Sequence, residues 1–276
     1  MTTPILSHTR AAAGDTTPAL WLYLLHGIYG SGRNWATVAR RVVEERPDWG
    51  IVLVDLRLHG ASLNMPGPNT VGQCANDLLQ LEDHLGLPAA AVLGHSFGGK
   101  VALVRARLPA TTLKHIWVID STLRVQEPSG SAWDIIQIAR SLPDEFSSRD
   151  EVADALVQHG YARPVGQWLA MNLERRGSAF GWKIDWDGVE GMLRDYFATD
   201  VWPVVEAPPG SMHVHIVKAT ESNALGGGSV ARIRQAEEAT GRVHFHEVSG
   251  GHWVNVDNPE AIQQLLSREL QAPSSR

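Results

Sequence analysis

Short apolar runs alternate with helical patterns along the first half of the chain. LWLYLLH (20–26), GIVLVD (50–55), AAAVLG (89–94) and LKHIWVID (113–120) have the length and continuous apolar character of buried strands. Between them, TVARRVVEE (37–45), TVGQCANDLLQLEDHLGL (70–87) and FGGKVALVRARL (97–108) have helical character, with Leu78, Leu81 and Leu85 at helical spacing. These helices stop at Pro47, at Gly86 and Pro88, and before Pro109. Strands that stay apolar throughout are covered on both faces, which predicts a mostly parallel sheet between two helical layers. The alternation breaks from about 122 to 210, where helical stretches occur without a convincing strand. It resumes with MHVHIVKA (212–219), a helix near 229–240, VHFHEVS (243–249) and a final helix near 259–271. The chain therefore reads as α/β: a doubly wound core from 1–121 and 211–276, with a helical insertion at 122–210.

Composition narrows the class. The 276 residues are 43% hydrophobic and 20% charged, an ordinary globular balance. No apolar run reaches the roughly 18 residues of a membrane span, and the N-terminus lacks the apolar stretch of a signal peptide. The lone cysteine, Cys74, cannot form an internal disulfide, which fits the cytoplasm. The formal charge of −6 argues against a nucleic-acid surface. That charge is localised: the insertion holds fourteen acidic and eight basic residues, and the remainder of the chain balances. Ten of its aromatic residues also fall in the insertion, among them Trp133, Trp168, Trp182, Trp186 and Trp202.

The residues that carry chemistry begin with GHSFG (94–98), a G-x-S-x-G run between an apolar strand and a helical pattern. That context is a nucleophile elbow, a turn so tight that Gly94 and Gly98 leave room where side chains would collide. It holds the Ser96 hydroxyl at a helix N-terminus, where the dipole favours developing negative charge. Serine needs a base, and His252 in GGHW (250–253) follows the last apolar strand. The carboxylate that orients the histidine has two candidates. Asp120 closes the strand HIWVID beside the elbow strand and is preferred. Glu221, the only acid in KATESNAL after the strand 212–219, is the alternative. The oxyanion hole needs two N–H donors: Phe97 after the nucleophile, and Ile28 in HGIYGSGRNW (26–35), with Tyr29 as second choice. His213, His215, His244 and His246 pair on strand faces, but no cysteine or well-spaced carboxylate joins them, so no metal site is expected. His59 and His95 read as hydrogen-bonding groups of the fold.

The runs HGIYGS, DLRLHGAS (55–62), DLLQLEDHLGL (77–87), GHSFGGK (94–100) and GHW (251–253) resemble the α/β-hydrolase superfamily, in order along nearly the whole chain. HGIYGS, GHSFGGK and VIDS resemble a narrower group, the small bacterial and mitochondrial esterases related to acyl-CoA and acylglycerol hydrolases. In that group the acid can follow the strand after the elbow helix, as Asp120 does. Ser222 fills the position that carries Asp in most of the superfamily. The resemblance implies an α/β-hydrolase fold and a lid or cap at 122–210. A serine at the nucleophile position excludes the aspartate-nucleophile dehalogenases and epoxide hydrolases.

The resulting expectation is a cytoplasmic serine esterase, monomer or homodimer, without cofactor, cleaving small-molecule carboxylic esters through Ser96, His252 and Asp120. Tyr29, His95, Trp133, Trp168, Trp182, Trp186 and Trp253 are expected to line its pocket. The charge of the insertion favours neutral esters over acyl-CoA, unless Arg124, Arg175 or Arg176 offset it. Rival readings are C–C bond or lactone hydrolysis, acyl transfer, cofactor-free haloperoxidation, and a non-catalytic ligand-binding protein.

Overall fold

In the computed structural model, residues 4–14, 16–110 and 112–270 are described. The ends of the expected core and residue 271 of the expected last helix lie outside them. The chain runs β1 (His8–Ala11), β2 (Leu20–Leu25), α1 (Ala36–Glu45), β3 (Trp49–Val54), α2 (Val71–Leu85), β4 (Ala91–His95), α3 (Phe97–Arg105) and β5 (His115–Ile119). The insertion follows: α4 (Ser131–Ser141), β6 (Glu145–Phe146), α5 (Asp150–Gln158), α6 (Arg163–Leu169), β7 (Leu173–Arg176), β8 (Ala179–Trp182), α7 (Trp186–Ala198) and α8 (Trp202–Glu206). The core closes with β9 (His213–Ala219), α9 (Gly227–Thr240), β10 (Val243–Val248), α10 (Val254–Asp257) and α11 (Pro259–Glu269).

The seven-stranded sheet has the order β1-β3-β2-β4-β5-β9-β10. Every pairing is parallel except β1 with β3. Alternate residues of each strand feed two cores. Leu22, Leu24, Ile51, Leu53 and Trp117 pack with Val38, Val42 and Leu266 from α1 and α11 on one face. Tyr23, Leu25, Val52, Val54 and Val118 pack with Leu78, Leu81 and Val101 from α2 and α3 on the other. Burial on both faces is why these strands read as continuous apolar runs. Helix α2 begins at Thr70, whose hydroxyl accepts from the Gln73 N–H at 3.0 Å, and ends at Gly86 with φ of 63°. No helix of the described residues is long and apolar enough to cross a membrane.

The insertion corrects one expectation. It is not purely helical, because β6, β8 and β7 form an antiparallel three-stranded sheet. Its segments are two to four residues long and partly charged (LERR), so they carry no apolar run to announce them. The insertion is fastened to the core by Lys100. This fully buried ammonium donates to the carbonyls of Arg124 (3.0 Å), Tyr196 (2.7 Å) and Thr199 (2.9 Å). It thereby joins α3 to both ends of the insertion, and burial lowers its pKa to about 8.

Candidate active site

The β4–α3 turn is as tight as its glycines imply. A Cβ on Gly94 would stand 1.9 Å from the Gly98 carbonyl oxygen, and one on Gly98 would stand 2.6 Å from that of His26. Ser96 is held at φ 50°, ψ −113°, and its N–H donates to the Ile119 carbonyl at 2.9 Å. Four non-glycine residues among those described have positive φ: Tyr29, Leu58, Ser96 and Asp120. They follow β2, β3, β4 and β5, so all four sit at the carboxyl end of four adjacent parallel strands.

His252 arrives on the loop between β10 and α10. The loop is braced by bonds from Gly251 N–H to Asp257 Oδ2 (2.9 Å) and from Glu221 N–H to the Gly250 carbonyl (3.0 Å). His252 Nδ1 donates to Asp120 Oδ2 at 2.7 Å. An ionised carboxylate only accepts, so the proton sits on Nδ1, and Nε2 presents its lone pair to the Ser96 hydroxyl at 3.1 Å. Asp120 is fully buried. Burial alone would raise its pKa, but hydrogen bonds from His252, Ser222 and the Ala219 N–H outweigh it and hold the carboxyl below its ordinary value. The Ala219 bond is 3.1 Å. Ser222 therefore stands beside the acid and donates to it. Glu221 is exposed, and among the described residues its side chain makes no hydrogen bond or ion pair. The structure brings together Ser96, His252 and Asp120, and leaves the alternative acid outside.

Neighbouring histidines that are themselves neutral hold this arrangement in place. His95 donates from Nε2 to the His252 carbonyl at 2.7 Å, and burial followed by repulsion from His252 lowers its pKa to about 3. His26 donates from Nδ1 to the Gly27 carbonyl (2.7 Å) and accepts the Leu56 N–H on Nε2 (3.0 Å). It ties the loop after β2 to the loop after β3, and burial lowers its pKa to about 4. Tyr196, on α7, was not singled out from the sequence. Its hydroxyl lies 3.2 Å from Ser121 Oγ, and burial raises its pKa to about 12. The GHSFGGK motif gave the position of Lys100, but nothing in the sequence signalled its carbonyl partners.

Phe97 heads α3, where helix geometry leaves its N–H without an intrahelical acceptor. Among the described residues the Ile28 N–H also has no acceptor. The Ile28–Tyr29 loop is held by Asn172 Nδ2 donating to the Tyr29 carbonyl (2.9 Å) and by the Tyr29 hydroxyl donating to the Ala132 carbonyl (2.6 Å).

A cavity of about 370 Å³ opens over Ser96 and His252. Of the expected pocket residues, Tyr29, His95, Trp168 and Trp253 line it. Trp133, Trp182 and Trp186 do not, which corrects the expectation. Trp182 turns into the insertion's own core, with ring centroids 5.4 Å from Phe146 and 4.9 Å from Trp186. Trp186 stands behind Tyr29 at 5.9 Å, and Trp133 lies beneath the Arg194 guanidinium at 4.7 Å. An insertion this small needs large aromatic residues for its own packing. The strand histidines bond to one another, His213 to His244 at 2.8 Å and His215 to His246 at 3.2 Å. No group of three or more metal-ligating side chains converges among the described residues.

Known proteins are similar to this chain in sequence and architecture. An sn-1-specific diacylglycerol lipase of Danio rerio is 26% identical over 89% of this chain and 76% of its own length. A putative esterase/lipase of Haemophilus influenzae is 32% identical over 90% of this chain and 82% of its own. Among solved structures, a marine microorganism esterase superposes with a TM-score of 0.80 at 22% identity, covering 96% of this chain and 99% of that one. The sequence pattern of the alpha/beta hydrolase family matches residues 22–264, nearly the whole of the described sheet, and the chain belongs to that family.

Proposed function

We propose that the chain is a serine carboxylesterase acting on small-molecule esters. The observation that carries this reading is the line Ser96 Oγ–His252 Nε2 at 3.1 Å and His252 Nδ1–Asp120 Oδ2 at 2.7 Å, set at the floor of the cavity. The naming of relatives as esterase or lipase supports it. Ser96 attacks the ester carbonyl carbon while its proton passes to His252 Nε2. The oxyanion accepts from the N–H groups of Phe97 and Ile28, each worth about 100- to 1000-fold in rate. Asp120 holds the imidazole in this tautomer and stabilises the imidazolium. Collapse breaks the bond to the alcohol, which takes the proton from His252 and leaves an acyl group on Ser96. Water then gives a proton to His252, attacks the acyl carbon, and the acid departs as Ser96 recovers its proton.

Residues 122–210 act in this reading as a cap over a core of 1–121 and 211–276. Ala132, Ile135, Val165 and Trp168 of the insertion form the apolar wall of the cavity, which suits an alkyl or aryl group. The buried, unpaired Cys74 supports a reducing compartment, the cytoplasm.

Hydrolysis of 4-nitrophenyl butyrate and labelling by a fluorophosphonate probe test the reading. Ser96→Ala should abolish labelling and lower kcat by at least about 10⁴-fold. Undiminished turnover in that variant would overturn it.

A further inference from the structure

The catalytic cavity adjoins a second one of about 390 Å³. Tyr29, Gly30, Asn34 and Trp168 line both, so the two meet at the loop that offers the Ile28 N–H. Tyr29 and Trp168 stand edge to face there, with centroids 6.0 Å apart. The walls differ in chemistry. The first cavity is mainly apolar, whereas the second presents Ser31, Asn34 and Asn172 together with two cations, Arg33 and Lys183.

Neither cation is ion-paired. Among the described residues, the side chains of Arg33 and Lys183 have no ion pair and no hydrogen-bond acceptor, and Lys183 is half-buried. The one acid among the described wall residues, Asp55, is turned to backbone donors, Oδ1 accepting from the Gly32 N–H at 2.8 Å and Oδ2 from the Ala61 N–H at 2.9 Å, so against the exposed Arg33 and half-buried Lys183 the wall keeps a net positive charge. His8 Nδ1 is likewise engaged with the Leu6 carbonyl at 3.0 Å. The three arginines that composition offered as counter-charges are elsewhere. Arg124 bonds Gln126, Arg175 bonds the Gly177 carbonyl, Arg176 pairs with Glu174, and none lines either cavity. An acidic insertion thus meets a wall with two free positive donors, a donor set suited to a carboxylate or phosphate.

We propose that the second cavity is an anion subsite, and that the substrate is an ester bearing a carboxylate or phosphate that rests on Arg33 and Lys183 while its carbonyl lies at Ser96. The proposal rests on the ester-hydrolysis reading above. It reverses the preference for neutral esters drawn from net charge, because the total conceals which cations are unpaired.

The test compares matched esters on the full chain, followed by pH-stat. Monomethyl glutarate against dimethyl glutarate places a carboxylate at the acyl end. 1-Butyrylglycerol 3-phosphate against 1-butyrylglycerol places a phosphate at the alcohol end. In the wild type the charged member of one pair should have the higher kcat/KM, by about tenfold or more. Which pair responds identifies the anion. Arg33→Gln and Lys183→Gln should each lower that charged-to-neutral ratio by about tenfold, mainly through KM, and Lys183→Glu should lower it further. A ratio at or below one in both pairs, or one insensitive to all three variants, overturns the subsite. Fluorophosphonate labelling of Ser96 with a flat ratio removes the subsite alone. Absence of both labelling and turnover removes the esterase reading with it.

Discussion

Replacing Asp120 by Asn separates the electrostatic role of the acid from its shape. The amide is isosteric, but it has one acceptor and one donor where the carboxylate has two acceptors. The Ala219 N–H at 3.1 Å can only donate, so it retains the amide oxygen. The amide NH₂ then faces His252 Nδ1, 2.7 Å away in the wild type, and Nδ1 must accept. The imidazole proton moves to Nε2, which now points a donor at Ser96 Oγ instead of a lone pair. With the base disabled and the imidazolium unsupported, kcat should fall by about 10⁴-fold. That corresponds to about 5 kcal/mol on the barrier. The assay is single-turnover acylation by 4-nitrophenyl butyrate, with Glu221→Gln measured in parallel. The latter should stay within about twofold, as surface changes away from special features have small effects. Because the Asn keeps the Ala219 bond and removes a buried charge, its melting temperature should stay within about 5 °C of the wild type. Retention of more than about a tenth of kcat in Asp120→Asn, or an equal collapse in Glu221→Gln, would refute the tautomer argument.

Two further outcomes follow from buried titratable groups. Lys100→Met leaves the carbonyls of Arg124, Tyr196 and Thr199 without their shared donor. It should cost about 2–4 kcal/mol in urea unfolding and speed amide exchange at the end of α7, whereas an unchanged urea midpoint would show that the contact does not fasten the insertion. His26 and His59 have pKa values lowered by burial to about 4 and about 3. Below the unfolded value of about 6.5 the unfolded chain binds protons that the folded chain refuses, so stability is complete above that pH and declines as pH falls towards 4. His26 alone should contribute a loss of about 3 kcal/mol across that window, and a flat unfolding free energy from pH 7 to 4 would contradict its burial as a neutral ring.

What the sequence revealed depended on whether a constraint was local. The strands β2 to β5 were readable because each is buried on both faces, and the elbow because its turn admits no side chain at residues 94 and 98. Strand β1 was not, since HTRA is short, half-exposed and held by antiparallel pairing to β3 at a distance in sequence. The β6–β8–β7 sheet escaped notice for the same reason. Residue type identified the tryptophans as large and apolar but gave no direction, so Trp182 and Trp168 looked equivalent although only Trp168 reaches the cavity. The surroundings of Asp120 depend on the register of β5 against β9, which sets the Ala219 N–H against its carboxylate and which no local run of sequence reveals. Ser222 was the one local clue, a neutral residue where the family resemblance leads one to expect Asp.

The gathering of Tyr29, Leu58, Ser96 and Asp120 at one end of four neighbouring strands bears on how this protein could adapt to heat. Strained backbone of this kind costs of order 1–3 kcal/mol per residue. Set against a total stability of about 5–15 kcal/mol, that is a substantial share concentrated at one pole. Relaxing it with glycine would raise the melting temperature only by freeing the loops that hold the reactive groups. Thermal hardening without loss of rate is therefore open mainly at the opposite ends of the same strands and along the α1–α11 layer, where sequence can drift towards tighter packing without consequence for turnover.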